Sequence, residues 1–309
     1  MTSFEHRASL QLDASNPRQP ASPQQRALAR AERQEHLWML ALLLPALLVV
    51  TVLLILPLCW LAFESVQTEQ GFSLINYLRI FQESIYWDTF ALTFKISFLV
   101  TVLSIVLGFP VAYAASRLHG FMANLILLCV ILPFWTSILV RSYAWLVLLQ
   151  RRGLVNQALM NLGLIDQPLN MMHNVTGTVI GTLHVMLPFM VLPLYAVMKK
   201  IPQDLLQASD SLGATPFYTL RRVFLPMAAP GIMAGSILVF VICLGFFITP
   251  ELLGGGRTIL VSMLVQRNVE LYQAWGAASA VGLVLLLVVF LIFWGINRFI
   301  PIERILGAR

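Results

Sequence analysis

Charge is the first shortage. Charged residues make up 11% of the 309-residue chain, where a soluble domain carries about 25%, and that deficit places the chain in the membrane class before any motif is consulted. Cysteine is scarcer still. Cys59, Cys129 and Cys243 stand far apart inside apolar runs, which excludes a CxxC metal pair and a disulfide framework and leaves buried small hydrophobes as their expected role. The phosphate-cradling pattern GxxxxGK(S/T) is absent. The glycine-rich LLGGGRT (252–258) lacks its lysine and the helix start that must follow, so turn chemistry accounts for it. The five histidines are scattered with no HExxH, and His184 alone falls inside an expected helix, where a packed, hydrogen-bonded role suits it better than ligation. No GxSxG nucleophile signature occurs. An enzyme, a cofactor and a metal site are therefore not expected. The net charge of +6 is spread along the edges of apolar runs rather than in a basic stripe with aromatics, which argues against nucleic acid as a partner.

What the chain has is hydrophobicity: 59% of its residues are hydrophobic, with a mean hydropathy of +0.82. Six apolar runs, at 37–63, 96–116, 121–150, 175–198, 227–250 and 275–296, each approach the ~20 residues needed to cross the hydrocarbon core. In lipid the backbone must satisfy its own hydrogen bonds, so the runs are expected to be helices. The fold class is thus all-α, a polytopic membrane protein of six spanning helices over residues 37–309. Residues 1–36, rich in Ser, Pro, Gln and Arg without apolar periodicity, are expected to form a disordered tail. A cleaved signal peptide is not expected, because the first apolar run far exceeds the ~7–15 residues of an h-region.

Sidedness follows from Lys and Arg. The tail, the turn at Arg117, the 199–226 loop and the C-terminal end hold thirteen, against five in the opposite loops. Both termini and the 199–226 loop are therefore expected in the cytoplasm. On the outer side, residues 76–90 have the spacing of an amphipathic interfacial helix, and 151–169 read as a helix ending near Gly163. These segments either anchor neighbouring helices or frame the mouth of a pathway. The pairs Gly177/Gly181 and Gly231/Gly235 allow helices to approach closely. A voltage-gated channel is disfavoured, since 175–198 contains no Arg or Lys and 251–275 no TVGYG-like filter. A secondary transporter would need inverted repeats with paired broken helices, which are not evident.

The loop before the fifth run carries more grammar than a connector requires. In KKIPQDLLQASDSLGATP, Pro202 suits a first helical position, Asp204 the positive first turn, and Gly213 the left-handed residue that ends a helix. Thr215-Pro216 restarts the chain as an N-cap followed by proline. Leu205, Leu206, Ser209 and Leu212 share a face, continued by Phe217, Leu220 and Phe224, before Pro226 and Pro230 break the helix again. The expected object is a rigid helix–turn–helix finger with an apolar side. It either packs under its own helices or docks on a cytosolic partner.

That stretch resembles the EAA loop of ABC importer permeases. Gln207-Ala208-Ser209 stand at EAA, Gly213 at the glycine, Val223 at the later apolar position and Leu225-Pro226 at LP, with Pro230-Gly231-Ile232 like the usual continuation. Gln207 and Ser209 depart from Glu and Ala. Further stretches, NYLRIF, RSYAW, GLVNQAL, LPFMVLPLYA and ITPELLGGG, resemble spermidine/putrescine-type permease subunits over roughly residues 72–300. The resemblance implies a bacterial inner-membrane subunit that assembles with ABC ATPase subunits, a second permease of different sequence and a soluble substrate-binding protein. It also implies that the EAA loop is a coupling helix, with Leu206, Gln207, Ala208, Ser209, Asp210, Gly213 and Phe217 as the ATPase contact. Polyamines are flexible polycations, so their path should offer carboxylates and aromatic faces. The candidates are Glu64, Trp87, Asp88, Tyr143, Trp145, Phe247 and Glu251, together with Arg141, which either snorkels to the interface or braces a gate. Other importer substrates consistent with the resemblance are opines, amino-acid-like compounds, oxyanions and ferric iron.

Overall fold

The computed structural model describes residues 23–68 and 71–299. By compactness the chain divides into Met1–Trp60 and Leu61–Arg309. The described part of the first unit is one helix, α1 (Pro23–Val66), which runs on into the second. It starts well before the apolar run does. Residues 24–34 (QQRALARAERQ) are mostly strong helix formers, so part of the segment expected to be a disordered tail is helical, and the rest of that tail lies outside the described residues. Residues 41–56 of α1 are exposed throughout and overwhelmingly apolar, the surface of a helix whose solvent is lipid.

In the second unit a minimal hairpin, β1 (Gln67–Thr68) and β2 (Gly71–Phe72), precedes α2 (Ile75–Gln82) and α3 (Ser84–Arg117). The interfacial helix expected over 76–90 is thus divided: α2 ends at Gln82, and Ser84–Phe90 form the first turns of α3. Then come α4 (Phe121–Ile131), a 3-10 turn (Leu132–Trp135), α5 (Ile138–Leu148), α6 (Leu154–Asn161) and α7 (Val175–Met198). The third apolar run is therefore not one straight span. Its halves, Phe121–Trp135 and Ile138–Leu148, meet at 101°. Pro133 withholds an amide, and Thr136 and Ser137 take extended backbone (ψ 142° and 137°), which no continuous helix can absorb.

The chain continues with α8 (Gln203–Ser211), then α9 (Pro216–Thr219) leading through a π-helical turn (Leu220–Phe224) into α10 (Leu225–Leu244). Here the expectation that Pro226 and Pro230 interrupt the helix fails. The stretch Pro216–Leu244 is one helical rod of 29 residues. In the wide turn the Leu225 amide bonds back five residues to the Leu220 carbonyl, which relieves the usual clash of a proline ring with the carbonyl four residues earlier. Last are α11 (Ile248–Gly254), α12 (Val261–Glu270) and α13 (Trp275–Phe299). Among the described residues five helices are long and apolar enough to cross a membrane, six if the bent pair counts as one span.

The core lies where α3, α7 and α10 pack together. Its centre is Met186, Met190, Leu194 and Met198 of α7 against Ile96 and Val100 of α3, Ala228 and Val239 of α10 and Phe224 of the π turn. Close approach depends on glycine. A Cβ at Gly231 would stand 3.0 Å from the Val197 Cβ and 3.3 Å from the Leu194 Cα, so α10 lies almost against the α7 backbone there. A Gly231→Leu substitution is expected to lower stability by about 1–3 kcal/mol through overpacking, measured as a lower thermal unfolding midpoint of the purified chain. Gly181 plays the same part against Leu253 and Thr249 of α11. At the other edge, the Thr93 hydroxyl donates to the Thr89 carbonyl (2.7 Å) and accepts from the Val261 amide (3.0 Å), which fixes the start of α12 on α3. Cys243 is buried as expected, but Cys59 and Cys129 are exposed, because their apolar surroundings are helix surface rather than core.

Candidate functional site

The 199–226 segment folds into the finger that its residue types specify. Pro202 is the extended residue before α8 rather than its first helical one (ψ 135°), and Asp204 sits in the first turn. The helix ends in a Schellman motif. Gly213 is left-handed (φ +82°), its amide bonds to the Asp210 carbonyl (2.9 Å), and the Ala214 amide to the Ser209 carbonyl (3.1 Å). Thr215 then caps α9, its side chain accepting from the Tyr218 amide (3.3 Å), with Pro216 as first helical residue.

Burial divides the finger into two edges. Leu206 and Leu220 pack against the core, and Phe224 is fully within it. Ser209 and Thr219 are both buried, and their hydroxyls bond to each other at 2.9 Å. Ser209 therefore latches α8 to α9, and its side chain is not on the surface as expected for a partner contact; Leu206 is likewise turned largely inward. The latch accounts for a hydroxyl where the EAA pattern has alanine. Ser209→Ala would strand a buried Thr219 hydroxyl and is expected to cost about 1–3 kcal/mol. Adding Thr219→Val should recover most of the loss, read as a non-additive double-mutant cycle in thermal midpoints.

The other edge is open. Gln207, Ala208, Asp210 and Gly213 are exposed, and beside them stand Leu212, 89% exposed, and Phe217, 70% exposed, with Leu205 and Tyr218. Tyr218 had no signal in sequence, because only the turn geometry places it on this edge. An apolar rim on a polar, rigid finger is the usual mark of a protein-binding surface.

The remaining candidates fall in three places. Arg141, Tyr143 and Trp145 lie on α5, and α5 packs against α11 and α7. The Ser142 and Thr249 hydroxyls join α5 to α11 at 2.9 Å. The Trp145 indole donates to His184 Nδ1 (3.0 Å), so His184 is packed and hydrogen-bonded as expected, with its remaining proton on Nε2. Within this three-helix cluster the Glu251 Oε2 and the Arg141 Nε are buried and lack any hydrogen-bond partner, and among the described residues the two form no ion pair. Phe247 leads into α11 and is half-buried; Tyr143 faces outward. Glu64 lines a separate open cleft of about 830 Å³ with Asn76, Arg79, Gln273 and Trp275. Trp87 and Asp88 are exposed on the first turn of α3, the Trp87 indole donating to the Phe81 carbonyl (3.3 Å). The 151–169 segment is stitched by buried Asn156, whose amide donates to the Gln150 and Leu169 carbonyls, and it ends α6 with left-handed Gly163.

Residues 104–301 match the family described as binding-protein-dependent transport system inner membrane component. The chain belongs to this family. It is a multi-pass inner-membrane permease that works with ABC transporter partners, and not an enzyme. Among related permeases, the spermidine/putrescine transport system permease protein PotB of Escherichia coli (strain K12) is 32% identical over 230 residues, covering 74% of this chain and 83% of PotB. The inner membrane ABC transporter permease protein YdcU of the same strain is 39% identical over 196 residues, 59% of this chain and 62% of YdcU. In fold the permease is similar to a chain of a bacterial alginate ABC transporter solved in complex with an alginate pentasaccharide-bound periplasmic protein. That likeness has a TM-score of 0.71 at 18% identity, covering 88% of this chain and 96% of that one. It is also similar to a chain of the MetNI methionine ABC transporter in inward-facing form, with a TM-score of 0.52 at 17% identity over 72% and 99% of the two chains.

Proposed function

We propose that this permease is one of two membrane subunits of an ATP-driven importer of polyamines, paired with a second permease chain, driven by ABC ATPases and fed by a soluble binding protein. The observation that carries the substrate class is the 32% identity to a spermidine/putrescine permease over 83% of that relative's length. The chemistry at α11 suits a polycation. A carboxylate oxygen buried without a donor is poorly solvated, and an ammonium group passing it would supply the missing partner.

Coupling runs through the α8–α9 finger. Closure of the ATPases has to move helices as near-rigid bodies. A finger latched by Ser209 and Thr219 and rooted by Phe224 transmits a push that a loose loop would absorb. The exposed Gln207, Ala208, Asp210, Gly213 and Phe217 form the ATPase contact, with Leu212 added to it. The Lys and Arg distribution supports a cytoplasmic finger and cytoplasmic termini. Arg141 and Glu251, opposite charges on packed helices and both unpaired, supply a gate: a shift of α5 along α11 would join them once no cation occupies the carboxylate.

The test is reconstitution of the complex with its binding protein. Spermidine or putrescine should stimulate ATP hydrolysis and enter the vesicle, while an opine, an amino acid or ferric iron should not. Stimulation by one of those and not by a polyamine would reassign the substrate.

A further inference from the structure

Between α3, α4 and α7 lie two hollows of different character, taken together as one groove. At the finger end it is a polar cleft of about 270 Å³ lined by Arg117, His119, Asn124, Tyr195 and Lys199 among others, several times the ~30 Å³ a water molecule occupies. None of its lining residues is acidic. Toward the membrane interior the same three helices line an apolar trough of about 540 Å³ with Leu107, Val111, Leu125, Ile126, Leu187 and Val191. The two hollows share helix faces: on α7, Val191, Tyr195 and Lys199 follow one another at single-turn spacing.

The cationic end is unsatisfied. The Arg117 guanidinium carbon lies 4.7 Å from the Phe224 ring centroid, and its Nε and Nη2 are buried without a hydrogen-bond partner. Lys199 is exposed, donates to the Tyr195 hydroxyl (2.8 Å), and pairs with no carboxylate among the described residues. The 11-residue helix α4 opens at this cleft with no side-chain cap, adding the positive end of its dipole. Length gives a second indication. Along α3 the hollows run about 15 Å from Arg117 to Leu107, and along α7 about 22 Å from Lys199 to His184, at ~1.5 Å per residue, between half and three quarters of the ~30 Å hydrocarbon core and so on the scale of one acyl chain.

We propose that this groove binds an anionic phospholipid. Its phosphodiester sits against Arg117, Lys199 and the α4 N-terminus, and an acyl chain fills the trough. The site places a lipid at the root of the finger, since Arg117 rests on Phe224, the finger's buried anchor. The site requires only that the chain lie in a membrane and is independent of what the permease carries.

Native mass spectrometry of the full-length chain, with phosphatidylglycerol and phosphatidylcholine added in equal amounts, is the test. The expected result is selective retention of one phosphatidylglycerol. Lys199→Glu should reduce its occupancy about tenfold, the scale of one charge-assisted contact. Leu125→Trp, at a trough position 39% exposed and outside the buried core, fills the trough without touching charge and should reduce it too, so the inference does not rest on a variant that could misfold. Equal retention of phosphatidylcholine, or occupancy unchanged in both variants, would overturn it. Displacement by inorganic phosphate would mark a free-anion site instead, and displacement on assembly with the second permease a protein interface; either outcome also overturns it.

Discussion

Replacing Leu212 and Phe217 together by aspartate is expected to abolish polyamine uptake and co-purification of the ATPase while the chain still inserts and folds. Both side chains are far more exposed than buried, so the substitutions remove no internal packing. What they remove is the apolar rim of the finger. Burying one large apolar side chain contributes about 1.5–3 kcal/mol, so losing two, and placing charge where a groove must close, should weaken docking at least about a hundredfold. Pull-down of the ATPase and uptake of labelled spermidine should fall together, with unchanged chain in the membrane. Normal uptake would mean that the rim faces something other than the motor.

Glu251→Gln should lower transport strongly while leaving stability unchanged or raised. A buried carboxylate oxygen with no donor is an unfavourable group in the resting fold. The amide is isosteric and uncharged, so the thermal midpoint should hold or rise. Uptake should fall about tenfold or more, because a charge-assisted contact of about 1.5–3 kcal/mol to the substrate ammonium is lost. A protein more stable and less active is the signature of a strained functional group. If both properties fell together, Glu251 would be structural; if neither moved, the substrate would pass elsewhere.

The finger was the most legible part of the sequence, because turn chemistry is local. Gly213, Thr215 and Pro216 each dictate a backbone state by themselves, and each state is present. The Ser209–Thr219 latch was not legible, since it joins two helices across a turn whose fold must be known first. Runs of apolar residues located the spans but could not report where they bend. The 101° elbow after Pro133 and the unbroken rod through Pro226 show why: one proline stands three residues before the backbone turns extended, the other beyond a π turn that makes room for its ring. Path residues were the least legible. Membership of the α5–α7–α11 cluster is set by tertiary packing, which brings Arg141, Trp145 and Glu251 together and leaves Glu64 in a cleft of its own. Periodicity alone carries no such pairing.

Coupling through the finger is the central claim, and a photo-crosslinking residue placed at position 212 in intact membranes tests it most directly. The account expects an adduct with the ATPase subunit, lost when Phe217 is changed to aspartate. Crosslinks confined to lipid or to this chain's own helices, with the transporter active, would contradict it.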